Sequence, residues 1–466
     1  MFCKTAIVGA ALAVSAVALP ATSATTASTA TSSPATTASA TSYALSSVLS
    51  SVGVSLATNA SAAGTNTIPY SAMCPTHVTS TTTSSQRHSP TITWPKISGK
   101  NFINWKTYKS NGANLGGWLE KEKTHDPVWW DQYAPNANDE WTFCQTLGSK
   151  CGSVLEARYT SFLNTSTIDK LASVGVNTLR IPTTYAAWVK VPGSQLYTGT
   201  QQAHLRTITN YAITKYNMHI IIGLHSLPGG VNSLDIGEAL GHDGWFQNAT
   251  NLHYSFVAVD AMLAWIALSG HINAFTIAPI NEASDTNLAG FGTSAGLTTA
   301  GANWIVTYIK GVMKRTALVD KRIPIMLQDC FKGAGYWAPL FNANDNLVFD
   351  SHVYYFAAAG TYSEYVLPAV CGQAAYIAEL ETKFPTFVGE WSLQVMYNNS
   401  LSGRKTVFDT QRYAWEKYVA GGSFWTAISY SNTTVDGEGT QRDYWSYIDL
   451  INAGVITTAT NASYCS

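Results

Sequence analysis

Two glutamates, Glu282 and Glu390, are the residues of this sequence best suited to acid–base chemistry. Each ends a short apolar run, in the segments Ile280–Glu282 and Phe387–Glu390. The hydrolysis of a glycosidic bond needs two facing carboxyl groups: one protonates the leaving oxygen, and the other stabilises or bonds to the anomeric carbon. The sequence therefore predicts glycoside hydrolysis, with Glu282 as general acid/base and Glu390 as nucleophile.

Other polar or aromatic residues end apolar runs in the same way. A single polar or aromatic residue can end an apolar run without having a function. Six runs that all end at such a residue are hard to assign to chance. Two of these residues fit a task beside Glu390, because a cation (Arg180) and a hydrogen-bond donor (Tyr354) both favour the ionised carboxylate. The residues at these run ends are Arg180, His225, Asn281, Glu282, His352, Tyr354, Glu390 and Trp425.

The elements that must position these residues follow a repeated strand–helix pattern. Several of the short runs are almost entirely apolar, as strands buried on both faces must be. Eight parallel strands, each followed by a helix, predict a single (β/α)₈ TIM barrel of the α/β class, with its catalytic side chains at the carboxyl ends of the strands. The predicted strands are Asn114–Trp118, Val176–Ile181, His219–Leu224, Phe275–Ile280, Pro324–Gln328, Val348–Val353, Phe387–Glu390 and Ser423–Ala427.

Helical patterns lie between these strands. They predict helices over Thr167–Val174, Gln201–Tyr216, Tyr254–Ser269, Gly301–Ala317, Gln373–Phe384 and Val407–Ala420. Strands four and seven of an eight-stranded ring lie on opposite sides of the barrel. We therefore expect Glu282 and Glu390 to face each other across the cavity.

The amino-terminal part of the chain has a different composition. Residues 1–24 contain an early lysine, an apolar run and small residues, the arrangement of a secretory signal peptide. Residues 25–93 are rich in Ser, Thr and Ala, and they predict a disordered, O-glycosylated stalk. We assign residues 94–466 to the catalytic barrel and expect a secreted, extracellular or cell-wall protein without a membrane anchor.

The charge balance excludes some partners. The formal net charge is −1, and 12% of the residues are charged, so no electrostatic footprint for nucleic acid is present. No pattern indicates a metal or another cofactor. We expect a monomer whose partner is a carbohydrate, either a β-glucan or a β-glucoside.

Cysteines and glycosylation sequons agree with export. Six cysteines follow the signal peptide, and they allow 15 disulfide connectivities. We predict the pairs Cys144–Cys151 and Cys330–Cys371. A bond between Cys144 and Cys151 would close only a short loop. Sequons that support a secretory route lie at Asn59, Asn164, Asn248, Asn398, Asn432 and Asn461.

The ordered set of run-end residues resembles glycoside hydrolase family 5 of clan A, in particular its fungal exo-β-1,3-glucanase branch. The resemblance covers roughly Trp105–Ile451 and implies a retaining β-glycosidase. It further implies that Asn281 and His225 contact the substrate and that Trp425 forms the floor of the pocket. Arg180, His352 and Tyr354 would support catalysis. The segment Gly112–Leu119 is similar to the opening strand of that branch. Matching positions imply Glu122 and Asn232 as further sugar contacts.

Three segments resemble a different branch of the same family. Thr183–Trp188, His225–Gly229 and Val388–Trp391 look closer to fungal rutinosidase-type diglycosidases, which release a whole disaccharide from a plant glycoside. The predicted function is thus that of an exo-β-1,3-glucanase, a glucan 1,3-β-glucosidase, and a rutinosidase-type diglycosidase is the alternative. A third alternative, a catalytically silent carbohydrate-binding wall protein, would need aromatic residues but no opposed carboxylates.

Overall fold

The computed structural model describes residues 101–286, 290–358, 360–380, 383–458 and 464–465. The predicted signal peptide (1–24) and stalk (25–93) lie outside the described residues, as do Cys74 and the sequons at Asn59 and Asn461. These assignments stay predictions.

Eight parallel strands pair in chain order, and the last returns to the first to close a barrel. Closure joins Ser110 to Gly421 and Gly112 to Ser423. The predicted (β/α)₈ fold is confirmed. The strands are β1 (Ser110–Asn114), β2 (Thr178–Thr183), β3 (His219–Leu224), β4 (Phe275–Ala278), β5 (Ile325–Gln328), β6 (Leu347–Val353), β7 (Thr386–Trp391) and β8 (Gly421–Phe424).

Burial explains why these strands are apolar. Every residue of β2, β3, β6 and β7 is buried, because the barrel interior covers one face and the helices cover the other. At the closing seam Gly421 has φ of 90°, and a Cβ there would lie 2.0 Å from the Ser110 carbonyl oxygen. Only glycine permits this close approach of β8 to β1.

The helices surround the barrel. Asn164 and Asn248 are the N-caps of two of them, and each side chain accepts hydrogen bonds from the first-turn backbone. The described α-helices are α1 (Pro127–Tyr133), α2 (Glu140–Leu147), α3 (Cys151–Phe162), α4 (Thr165–Ala172), α5 (Gln201–Tyr216), α6 (Ala249–Ala267), α7 (Thr299–Asp320), α8 (Ala334–Trp337), α9 (Val366–Leu380), α10 (Arg404–Tyr418), α11 (Gln441–Trp445) and α12 (Tyr447–Asn452).

The first strand lies four residues earlier than its sequence pattern predicts. It ends at Asn114, where the prediction begins. After Asn114 the chain leaves the ladder, because the Gly116 N–H donates to Thr426 Oγ1 at 2.9 Å and Gly117 turns with φ of 69°. The apolar residues up to Trp118 are therefore buried in a loop and not in a strand.

The disulfides confirm one predicted pair and correct the other. Cys144 bonds to Cys151 as expected. The Cys330–Cys371 prediction is wrong: Cys371 bonds to Cys465, and Cys330 is a buried free thiol. Cys330 follows β5 at the catalytic end, whereas Cys371 lies on α9, which the carboxyl-terminal segment reaches. Across the described ranges, no helix combines the length and apolarity needed to cross a membrane.

Candidate active site

Glu390 lies in β7, buried at the catalytic end of the barrel. Arg180 Nη1 donates to its Oε1 at 2.7 Å, and the Tyr354 hydroxyl donates to its Oε2 at 2.8 Å. Both of its oxygens are thus held, one by a cation and one by a neutral donor. The strand ends of β2 and β6 supply these partners, as the sequence predicts.

Glu282 follows β4 and is also buried. Its backbone has φ of 43°, and two side-chain contacts fix it there: the Glu282 N–H donates to Gln328 Oε1 at 3.1 Å, and Asn232 Nδ2 donates to the Glu282 carbonyl at 3.1 Å. Asn232 is completely buried, and its Oδ1 accepts from the Leu234 N–H. The described contacts of Asn232 therefore position Glu282, and the contact of Asn232 with a sugar stays a prediction.

His352 connects the two carboxyl groups. Its Nδ1 lies 2.6 Å from Glu282 Oε1 and 3.4 Å from Glu390 Oε2. One oxygen of each glutamate and a nitrogen of His352 lie within 4.8 Å of one another. A retaining glycosidase has its carboxyl groups about 5–5.5 Å apart, whereas an inverting one leaves about 6.5–9.5 Å for a water molecule. The two nearest oxygens of Glu282 and Glu390 are thus closer than the separation that an inverting enzyme leaves for a water molecule.

Burial and charge oppose each other in this group. Burial raises the pKa of Glu390 above its ordinary value, and the charges of His352 and Arg180 offset that rise only in part. Although burial lowers the pKa of His352, the carboxylates of Glu390 and Asp350 raise it to about 10. Arg180 and Tyr354 act on Glu390 in the predicted direction, but removal from water outweighs them. The neighbouring carboxylates therefore favour the protonated form of His352.

The guanidinium of Arg180 organises the strand ends. Besides Glu390, it donates to Asn114 Oδ1 at 3.0 Å and to Asn281 Oδ1 at 2.8 Å. Its Nε lies 3.6 Å from Asp350. Arg180 therefore orients the amide of Asn281 beside Glu282, so that one cation sets the position of groups from four strands.

Trp425 forms one wall beside the carboxyl groups. Its indole stacks on His225, with ring centroids 5.5 Å apart and planes 14° from parallel, and contacts His125 on another side. A Cβ at Gly116 would approach the indole to 2.7 Å. The glycine after β1 therefore leaves the room that Trp425 occupies.

An acidic cluster lies at the Glu122 side of the pocket. Glu122 Oε1 is 3.5 Å from His125 Nε2, and Glu122, Glu120 and His225 present oxygen and nitrogen atoms within 4.8 Å of one another. Burial and the charge of Asp235 raise the pKa of Glu122 well above its usual range. A trio with this spacing, like that of Glu282, His352 and Glu390, meets the distance requirement of a cation site; its polar atoms equally suit sugar hydroxyls.

Four residues of this site were missed from the sequence: Asn114, Glu120, Asp235 and Asp350. Asp350 carried a usable signal, because residues 350, 352 and 354 alternate along β6 and share the inward face. Asn114 connects β1 to β7 and β8 by donating to the carbonyls of Gly389 and Ser423. Nothing in the sequence around Glu120 or Asp235 separates them from surface acids.

The chain is similar to two solved structures over about three quarters of its length. It is 48% identical to the rutinosidase from Aspergillus niger, with a TM-score of 0.75, over 77% of this chain and 100% of that one. The protein AoRut is equally similar, at 48% identity and a TM-score of 0.75, over 76% of this chain and 99% of that one. No protein-family model matches the chain.

Curated relatives show a second, more distant similarity. The probable glucan 1,3-beta-glucosidase A of Aspergillus niger is 27% identical over 62% of this chain and 66% of its own length. Glucan 1,3-beta-glucosidase 1 of Schizosaccharomyces pombe is 36% identical over 32% of this chain and 37% of its own length. The chain thus spans less than two thirds of these two relatives.

These two solved structures are matched over 99% and 100% of their own length at 48% identity. The chain therefore belongs to glycoside hydrolase family 5, as its motifs predict.

Proposed function

We propose that the protein is a retaining β-glycosidase with Glu390 as nucleophile and Glu282 as general acid/base. One observation carries the proposal: an oxygen of each buried carboxyl group lies within 4.8 Å of the other, which is closer than the separation that a single displacement by water needs. Glu390 attacks the anomeric carbon while Glu282 gives a proton to the leaving oxygen. Glu282 then takes a proton from water, which attacks the same carbon and releases Glu390.

The supporting residues divide this work. Arg180 and Tyr354 each donate a hydrogen bond to Glu390 and so favour its ionised form. The His352 side chain lies between the glutamates, with its Nδ1 2.6 Å from Glu282 Oε1 and 3.4 Å from Glu390 Oε2. Around the sugar we propose His225, Asn281 and Trp425 in the pocket beside Glu390, with Glu122 as a hydroxyl acceptor and Asn232 as a sugar contact.

The reaction class is tested by the stereochemistry of the first product. Proton NMR of a β-glucoside digest should show the β-anomer appearing first, before mutarotation. An α-anomer formed first would contradict the retaining mechanism. A variant without activity cannot answer this question, so the wild-type protein is the one to use.

Two substrates are supported by different similarities. The 48% identity to a rutinosidase over that chain's full length favours a diglycoside, from which the whole disaccharide leaves as one unit. The relatives named glucan 1,3-beta-glucosidases favour exo-hydrolysis of a β-1,3-glucan. Both substrates are β-glucosides, and both need the same pair of carboxyl groups.

A parallel product assay on rutin and laminarin separates the two substrates. The closer similarity leads us to expect rutinose from rutin at the higher kcat/KM. Glucose released mainly from laminarin would instead support the exo-glucanase. Binding to both without product would favour the catalytically silent wall protein. We further propose that the protein is exported and monomeric, which size-exclusion chromatography of the culture medium checks.

A further inference from the structure

Four ionisable side chains at the active site form a closed ring, and positive and negative groups alternate in it when His352 is protonated. Arg180 Nη1 lies 2.7 Å from Glu390 Oε1, and Glu390 Oε2 lies 3.4 Å from His352 Nδ1. Asp350 Oδ2 completes the ring, at 3.5 Å from His352 Nε2 and 3.6 Å from Arg180 Nε. All four residues are buried, so salt and water screen their charges little.

Asp350 lies beside both cations of the ring. Arg180 Nη2 and His352 Nε2 are 3.4 Å apart, and a buried carboxylate is costly unless cations offset its charge. Neither side-chain oxygen of Asp350 accepts a hydrogen bond from the described residues. Outside the ring, Asp329 after β5 is an acid on whose ionisation the charge of Asp350 acts. The contact with Asp350 therefore offsets the repulsion between Arg180 and His352.

An irregularity in β7 leaves room for Asp350. The pairing of β6 with β7 shifts by one residue between Ser351 and His352, so Gly389 has no partner in the ladder. A Cβ on Gly389 would lie 2.1 Å from Asp350 Oδ1. The Asp350 carboxylate therefore lies against the backbone that carries the nucleophile, and only a residue without a side chain fits beside it.

We propose that Asp350 is a positioning residue of the reaction. Its carboxylate holds the guanidinium of Arg180 in the orientation that donates to Glu390. It also faces His352 Nε2, so that Nδ1 is directed at Glu282 Oε1, 2.6 Å away. Asp350 itself is completely buried and has no contact with substrate assigned to it. The inference rests on the proposed roles of Glu282 and Glu390.

Asp350→Asn removes the charge and keeps the shape of the side chain. In that variant kcat should fall roughly tenfold to a hundredfold while KM stays within about twofold, because the substrate is bound but the reacting groups are misplaced. Asp409→Asn is the matched control, since Asp409 is a buried aspartate of α10 that pairs with Lys405. It should lower the melting temperature and leave kcat unchanged. A folded Asp350→Asn protein with the wild-type kcat would overturn the proposal.

The protonation of His352 is a second readout, and it needs no turnover, so it tests Asp350 even if the proposed function fails. Burial lowers the pKa of His352, but the carboxylates of Glu390 and Asp350 raise it to about 10. In Asp350→Asn, NMR of the histidine-labelled protein should show the midpoint of the His352 titration lowered by about one pH unit or more. An unchanged midpoint would show that Asp350 does not act on His352.

Gly389→Ala tests the position of the carboxylate without changing its charge. The added Cβ cannot coexist with the Asp350 side chain in its present place, so kcat should fall in the wild-type background. In an Asp350→Ala background the same change should have little further effect, because the two residues act through one contact. Effects on kcat that simply multiply in the double variant would overturn the proposed positioning.

Discussion

At the scale of single residues, Glu390 is held by a cation on one oxygen and a phenol on the other. Glu390→Gln should lower kcat roughly 10⁴-fold, because the amide cannot form the covalent intermediate, while its oxygen keeps the Arg180 contact. Steady-state kinetics and a thermal melt check both statements. Glu379→Gln, at an exposed glutamate of α9, is the control. A folded Glu390→Gln protein with near-wild-type turnover would remove Glu390 as nucleophile.

The pH profile is a second prediction at this scale. Burial raises the pKa of Glu390, and the nucleophile must be ionised, so activity should fall on acidification at a pH above about 4.3, the ordinary glutamate value. Tyr354→Phe removes a hydrogen bond that favours the ionised form. The acid limb of kcat/KM should therefore move to higher pH in that variant. An unchanged or lower midpoint would contradict the proposed contact.

The residues of the site could be predicted where they end an apolar run of the sequence. Arg180, His352 and Glu390 stop apolar runs, and the structure brings these three together. Asp350 and Asn114 were not predicted as site residues, because Asp350 lies inside an apolar run and Asn114 precedes a loop. Their importance depends on contacts with distant strands. Glu120 and Glu122 neighbour lysines in the chain, and only the structure shows that Glu120 is buried and that the Glu122 side chain is 10% exposed.

At the scale of elements, β3 begins with a histidine that must stay neutral. His219 Nε2 lies 2.8 Å from Thr276 Oγ1, and burial lowers the pKa of His219 to about 3. The unfolded chain takes up this proton near pH 6.5, whereas the folded chain does not until about pH 3. The folded state therefore loses stability as the pH falls through this window.

Replacing His219 with glutamine should reduce that loss. Between pH 6 and pH 4 the free energy of unfolding should fall by about 1.4 kcal/mol less per pH unit in His219→Gln than in the wild-type protein. Urea titrations at several pH values measure the two slopes. The exposed His253, changed to glutamine, is the control. Equal slopes for His219→Gln and wild type would show that another group dominates.

Element types were easier to predict than element ends. The helix over Gln201–Tyr216 and the strand over His219–Leu224 have their predicted bounds, because periodic or wholly apolar runs define both. The first strand was misplaced because Leu115 and Trp118 are apolar and buried, yet they belong to a loop. A sequence pattern reports burial, and it cannot tell which backbone conformation achieves it.

At the scale of the whole molecule, the two disulfides should contribute differently to the free energy of unfolding. Cys371–Cys465 closes 94 residues and Cys144–Cys151 closes 7. Chain-entropy arguments give about 4.7 kcal/mol for the longer loop and about 2.5 kcal/mol for the shorter one. Replacing each pair with alanines and comparing urea midpoints and slopes measures the difference. A larger loss from the short loop would contradict the entropic account.

The pairing of β1 with β8 means that parts of the site which lie together are synthesised at very different times. Thr426 Oγ1 donates to the Asn114 carbonyl across 312 residues of chain, a separation that takes about 15–60 s to synthesise at 5–20 residues per second. Trp425 therefore arrives long after the first strands, and the pocket is finished by nearly the last part of the barrel to be made. A chain interrupted before β8 would contain both Glu282 and Glu390 but would lack Trp425 and the strand that closes the barrel.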